Sequence, residues 1–228
     1  MSELLTVEEL ETHTLLTMDD GKANALSFAM LDALAEGLDG ASIDKPLVLA
    51  GRPGKFSAGF DLSVMGKGGE DAVRLLGQGA NMALKLLKFE APVVLAVTGH
   101  ALAMGALFCL SADYRLGVRG NFKLGLNEVA IGMTLPWFGV ELARARLDGR
   151  QLNEAVSLAR IYSPDEAVQV GYLDNAVDEE EFAAQLEAVV AGFGALDMKA
   201  HRETKARVRE PLLQRLDLGM ERDFQGLV

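Results

Sequence analysis

From Ala91 to Ala112 the chain has no Asp, Glu, Lys or Arg, and this run constrains the fold more than any other feature. A stretch that apolar either crosses a membrane or lies at the centre of a core. Pro92, Gly99, His100 and Gly105 interrupt it. Val93–Val97 is rich in β-formers, a glycine-containing turn follows, and Ala103 to Leu110 reads as a buried helix. A strand, a turn and a buried helix account for the breaks, whereas a spanning helix does not. The expected molecule is therefore soluble, with this unit at its heart and no membrane partner. The opening residues, Met1-Ser2-Glu3-Leu4-Leu5, lack the basic and apolar segments of a signal peptide.

Similar units flank the run. Thr12 to Thr17 is β-prone, and Asp19-Asp20-Gly21-Lys22 reads as a turn. Ser27 is placed to cap an amphipathic helix from Phe28 to about Leu38. Pro46 to Ala50 is a short buried strand, and a helical pattern spans about Ala72 to Leu87. This alternation predicts an α/β core with parallel strands. Beyond Leu142 helix signals dominate, over Glu141–Leu147, Gln151–Arg160 and from Ser163 onward. There Ser163 and Glu166 form a capping box with Pro164 at the first helical position. Asp178 and Glu181 could cap a helix to about Val190. Residues 199–228 hold seven Lys/Arg against five Asp/Glu, which points to an amphipathic helix packed on the core or on a neighbouring subunit.

Composition narrows the function. Half of the 228 residues are hydrophobic, enough for a substantial core. The 22 basic and 33 acidic residues give a net charge of −11, which disfavours nucleic acid and anionic membrane as partners. One cysteine excludes an internal disulfide, and with only three histidines a Cys/His zinc cluster is excluded as well. The expected compartment is cytoplasmic. No Walker, dinucleotide-binding or serine-hydrolase spacing occurs.

Three segments carry candidate chemistry. Phe56-Ser57-Ala58-Gly59-Phe60-Asp61-Leu62 and Gly99-His100-Ala101-Leu102-Ala103-Met104-Gly105 both follow strands and place small residues near a helix start. Backbone N–H groups left open at such turns can hold a developing oxyanion, although tight packing explains either turn taken singly. In Leu124 to Gly132, Glu128 lies in an apolar neighbourhood, where burial would raise its pKa and suit it to general-base work. A solvent-facing loop glutamate is the bland alternative. Cys109 reads as a buried small side chain, His100 as a turn residue, and His13 and His201 have no evident partner.

In order and spacing these segments resemble the crotonase (enoyl-CoA hydratase/isomerase) superfamily. The resemblance is carried by Lys22-Ala23-Asn24-Ala25-Leu26, Phe56 to Leu62, Gly99 to Arg115, Leu126 to Gly132, Ser163 to Ala167 and Gly171 to Asp174. It implies a repeated ββα spiral core over 1–190 and a helical C-terminal region, 191–228, used in a homotrimer or dimer of trimers. It also implies an acyl-CoA thioester substrate and a role in fatty acid β-oxidation. No separate cofactor or metal is required, because CoA is part of the substrate. The implied oxyanion donors are the backbone N–H groups of Phe60 and Met104. Lys22, Ala23, Ala25, Ser57 and Ala58 would contact adenine and pantetheine. Met104 replaces the family's usual glycine, so a left-handed turn at that position would strain it.

Family hydratases use two glutamates around one water, and here the positions are Glu128 and Leu107. Leucine can neither activate water nor donate a proton. One base and an oxyanion hole suffice to move a double bond from Δ3 to Δ2, with Glu128 carrying a proton from C2 to C4 through a dienolate. An apolar pocket including Leu107, Phe108, Ile131, Leu135, Trp137 and Phe138 would suppress hydration; for Trp137 and Phe138, core packing is an equal reading. The expected activity is thus Δ3,Δ2-enoyl-CoA isomerase. The alternatives are a hydratase, another single-glutamate crotonase reaction, or an inactive acyl-CoA-binding scaffold.

Overall fold

The computed structural model describes residues 4–225; Met1–Glu3 of the N-terminal reading and the last three residues of the 191–228 region lie outside the described residues. The chain winds through repeats of one plan. Each opens with a strand of a central sheet, continues into a short strand paired elsewhere, and closes with a helix. After an N-terminal strand β1 (Leu5–Glu9), the first repeat is β2 (Thr14–Met18), β3 (Ala25–Leu26) and α1 (Phe28–Gly40). The second is β4 (Leu47–Ala50), β5 (Gly54–Ser57), β6 (Gly59–Phe60), α2 (Leu62–Met65) and α3 (Gly69–Lys88). The third is β7 (Val93–Val97), β8 (Gly99–Leu102) and α4 (Met104–Ser111). The fourth is β9 (Tyr114–Val118), β10 (Leu124–Gly125) and a 3-10 turn at Val129–Ile131. Helices α5 (Trp137–Arg146), α6 (Leu152–Val156) and α7 (Pro164–Val170), strand β11 (Asn175–Val177), and helices α8 (Glu179–Gly194) and α9 (Met198–Phe224) complete the chain.

The opening strands form one six-stranded sheet in the order β1-β2-β4-β7-β9-β11, parallel except for the β1–β2 pair. The short second strands pair separately, β10-β8-β5 and β3-β6. Alternation along β4 and β7 explains why both faces of the sheet are covered. Leu47, Leu49, Val93 and Leu95 join the main core with α1, α3 and α4, while Val48, Ala50, Val94 and Ala96 pack against Val190 and Phe182 of α8. The charge-free run is β7, β8 and α4, and all eight residues of α4 are buried.

Local signals set several boundaries. Ser27 accepts from the Met30 N–H at the start of α1, and Ser163 with Glu166 forms a complete capping box ahead of Pro164. Other expectations shift. Gln151–Arg160 is helical only over Leu152–Val156, because Ala159 turns left-handed (φ 51°). Asp178 stands at the N-terminal cap of α8 without capping it through its side chain, and its carboxylate faces Arg119 at 3.5 Å. The Phe56–Leu62 segment is not one strand-to-helix junction but two short strands, since Ser57 and Gly59 form a turn between them. Residue 190 lies inside α8 rather than at a break in the chain.

Helix α9 packs on the rest of the chain, burying Leu212, Leu216 and Gly219 beside α5 and α3. Its charged anchors meet Asp113, whose carboxylate takes Lys205 Nζ and Arg209 at 2.6 Å each and the Val93 N–H at 2.8 Å. The nearby cations also satisfy helix C-terminal carbonyls: Arg115 donates to Cys109, Arg146 to Leu110 and Ala112, and Arg209 to Leu87. Burial, only partly offset by Asp113, pulls Lys205 down to about 8. This cluster borders a surface hollow of about 440 Å³. Among the described residues no helix is long and apolar enough to cross a membrane.

Candidate active site

The site forms where the short strands end. Strand β10 pairs with β8 through Leu124↔Ala101 and Gly125↔Leu102, and the Ala103 N–H donates to Gly125 O at 3.0 Å. This pairing carries the segment after β10 to the N-terminus of α4. There the Glu128 carbonyl accepts from Ile131 and Met133 N–H groups at 3.1 and 2.9 Å, and Gly132 (φ 79°) closes the turn. Glu128 is thereby held by backbone bonds beside Ala103.

A second turn packs onto the first. Gly59 sits at φ 90°, and a Cβ added there would lie 2.7 Å from Ala103 Cβ and 3.2 Å from Met104 N. Glycine at 59 is what lets the two turns close on each other. A Cβ on Gly105 would lie 2.6 Å from Ser57 O, so the same intimacy recurs one turn further on. The Phe60 ring in turn needs Gly79 of α3, where an added Cβ would come within 2.4 Å of it. Met104 is not left-handed. The positive φ falls one residue earlier, at Ala103 (φ 51°, ψ −122°), so the backbone strain expected of Met104 belongs to Ala103. Met104 opens α4, where the first N–H groups of a helix have no intrahelical acceptor.

Between these turns lies a cleft of about 110 Å³ lined by Ala58, Phe60, Leu62, Met65, Ala103, Asn127, Glu128, Ile131 and Met133. Glu128 is 9 % exposed, and its Oε2 is buried without a hydrogen-bond partner among the described residues. Burial pushes its carboxyl up to about 7, with one backbone hydrogen bond pulling weakly the other way. Half of such carboxyls are ionised near neutral pH, the condition for a general base. Among the described residues no group of three His, Cys, Asp or Glu side chains is placed to hold a metal.

The other expected site residues fall into distinct positions. Lys22 and Ala58 are exposed, and Ala23 and Ala25 partly so. The Ala58 N–H donates to Ala23 O at 3.0 Å, which ties these two segments together at the cleft's edge. Ser57 is fully buried; its hydroxyl donates to Asn24 O and accepts from the Gly59 N–H, so it builds the turn and offers no side-chain surface. Leu107 is 1 % exposed and lies in the core beside Gly139. Trp137 stands half-exposed at the start of α5 under the Arg222 guanidinium. Neither Leu107 nor Trp137 is among the residues lining the cleft. Cys109 is buried, its thiol pushed up to about 12 by desolvation, and His100 Nδ1 accepts from the Lys123 N–H.

Sequence reasoning missed Leu62, Met65, Met133 and Asn127 as lining residues. Leu62 and Met65 belong to a one-turn helix whose only signal is Asp61, which caps it by accepting from Ser63 N–H. Asn24, which the sequence places within the Lys22–Leu26 motif without a role of its own, is structural. It is buried at φ 51°, and its Nδ2 donates to Met18, Lys55 and Phe56 carbonyls, pinning β2 to β5.

A ββα spiral of this kind, with one buried carboxylate held against two glycine-shaped turns, defines a crotonase-type fold. The chain belongs to the enoyl-CoA hydratase/isomerase family, whose model matches residues 9–225. A solved enoyl-CoA hydratase/isomerase family protein from Pseudomonas syringae is 40 % identical, with 99 % of each chain covered and a TM-score of 0.95. Human mitochondrial enoyl-CoA delta isomerase 1 is 30 % identical over 211 residues, 90 % of this chain and 70 % of that protein. A crotonyl-CoA hydratase from Syntrophomonas wolfei is 27 % identical over 234 residues, 99 % of this chain and 89 % of that protein.

Proposed function

We propose that this enzyme is a Δ3,Δ2-enoyl-CoA isomerase. The observation that carries the reading is that Glu128 is the one titratable side chain lining the cleft, with an unpartnered oxygen and a carboxyl pushed up to about 7. In this reaction Glu128 removes a C2 proton from a 3-enoyl-CoA. The negative charge moves to the thioester oxygen, where the Phe60 and Met104 N–H groups hold it, each contributing about 3 kcal/mol. Glu128 then delivers the proton to C4. The pantetheine arm runs past Ala58, Ala23 and Ala25, and the exposed Lys22 meets a phosphate.

Hydration needs a second group to handle the water's proton. The position two residues after Gly105 is Leu107, buried and apolar, and the residues that line the cleft include no acid besides Glu128. Such a cleft favours proton transfer over water addition.

The test offers purified protein 3-enoyl-CoA and 2-enoyl-CoA separately. Isomerisation is expected, with a rate that falls about tenfold per pH unit below the acid limb near 7, is abolished by Glu128→Gln, and is accompanied by negligible hydration. Rapid water addition to the 2-enoyl substrate overturns the reading.

A further inference from the structure

Asn127 is the one other polar side chain lining the Glu128 cleft. Its Oδ1 is buried and accepts no hydrogen bond among the described residues, and the same holds for Glu128 Oε2, so two adjacent cleft-lining residues each carry an orphaned oxygen. Both are fixed from behind: the Asn127 and Glu128 carbonyls accept from the Ile131 N–H at 3.3 and 3.1 Å, and Glu128 O also takes the Met133 N–H. A buried amide oxygen with no donor is destabilising, and leucine would fill the same space without that cost. A donor that reaches this oxygen during the reaction would remove that cost.

The acyl part of an enoyl thioester has no O–H or N–H, and ionised Glu128 has none either. A donor appears in the cleft once Glu128 has taken the C2 proton and become a carboxylic acid. We propose that Asn127 is a positioning residue for the reaction, its amide oxygen holding the Glu128 O–H between proton removal and proton delivery. The inference rests on the isomerase reading for the identity of the second step.

The proton balance is closed. The C2–H bond breaks, its electron pair forms C1=C2, the carbonyl pair moves onto the thioester oxygen, and the proton forms O–H on Glu128. In the return step the carbonyl reforms, the C1=C2 pair becomes C2=C3, the former C3=C4 pair takes the proton at C4, and Glu128 is a carboxylate again. While Asn127 holds the acid, its proton is kept from exchanging with solvent. Without Asn127 the acid is freer to exchange before it can deliver.

The experiment uses deuterium oxide and the full chain, comparing wild type with Asn127→Leu and Asn127→Ala, each checked for a cooperative melt. The first arm follows 3-enoyl-CoA to product by NMR. Wild type is expected to carry protium to C4, whereas both variants place solvent deuterium there and lose turnover more than substrate affinity. The second arm follows deuterium entering C2 of a saturated acyl-CoA, a measure that requires proton removal but no isomerisation. There the variants are expected to exchange several-fold faster than wild type, a direction that general damage to the site would not produce. Exchange in the variants that is equal to or slower than wild type overturns the role of Asn127. A wild type that exchanges C2 but does not isomerise refutes the isomerase reading instead, and the comparison of exchange rates still decides on Asn127.

Discussion

Replacing Glu128 by glutamine should abolish activity and stabilise the protein, by an amount that depends on pH in a defined way. The carboxyl's ordinary value is 4.5, and burial raises it to about 7 in the folded chain. The folded state therefore binds this proton more tightly than the unfolded state does. Between 4.5 and 7 the unfolded chain carries fewer protons than the folded one, so stability falls as pH rises through this window. Above 7 both states are ionised and the full penalty remains. At about 1.4 kcal/mol per pH unit, a shift from 4.5 to about 7 amounts to roughly 3 kcal/mol at pH 8 and less than about 1 kcal/mol at pH 5. Glutamine is neutral at every pH, so Glu128→Gln removes the penalty. For a chain of this size the gain corresponds to a Tm higher by on the order of 10 °C at pH 8, shrinking to a few degrees at pH 5. Calorimetric melts of both proteins at the two pH values measure it directly. A Glu128→Gln gain that is absent at pH 8, or equal at both pH values, would refute the desolvated Glu128 carboxylate as the source.

Two further changes probe the frame around that carboxylate. Gly59→Ala places a methyl 2.7 Å from Ala103 Cβ and 3.2 Å from Met104 N at φ 90°; it should prise the two turns apart and lower kcat by about 10²-fold or more while circular dichroism stays native. A near-wild-type rate would mean that the turns need not touch. Asp113→Ala leaves Lys205 and Arg209 buried without their shared carboxylate, which should cost about 3–5 kcal/mol and lower Tm by on the order of 10 °C. An unchanged melt would show that α9 is held by its apolar face alone.

What could be read in the sequence was what depends on neighbours in the chain. The charge-free run shows β7 and α4 in their own residues, whereas the stretch that reads as a turn between them is strand β8, and Gly105 lies within α4. Ser27 and the Ser163–Glu166 pair fix helix starts, because capping is settled within one turn of backbone. The order of the glycine turns and Glu128 identified the family. Strands of two residues, such as β3, β6 and β10, carry no periodicity to detect, since their pairing partners lie tens of residues away.

Tertiary structure alone decided the rest. Sequence placed Glu128 in an apolar neighbourhood, but only packing could leave its Oε2 without a partner and hold Asn127 beside it. The strain expected of Met104 falls on Ala103, because the β8 ladder holds the chain as far as the Ala103 N–H and α4 already starts at Met104, so the reversal falls on the residue between. Leu107 and Trp137 have the chemistry of pocket walls, yet the first is buried in the main core and the second lies beneath Arg222. Asp113 reads as part of a motif, and its partners, Lys205 and Arg209, stand more than ninety residues away. A side chain's type and its local spacing are inherited from the chain, but its electrostatic surroundings are set by whichever distant segments pack against it.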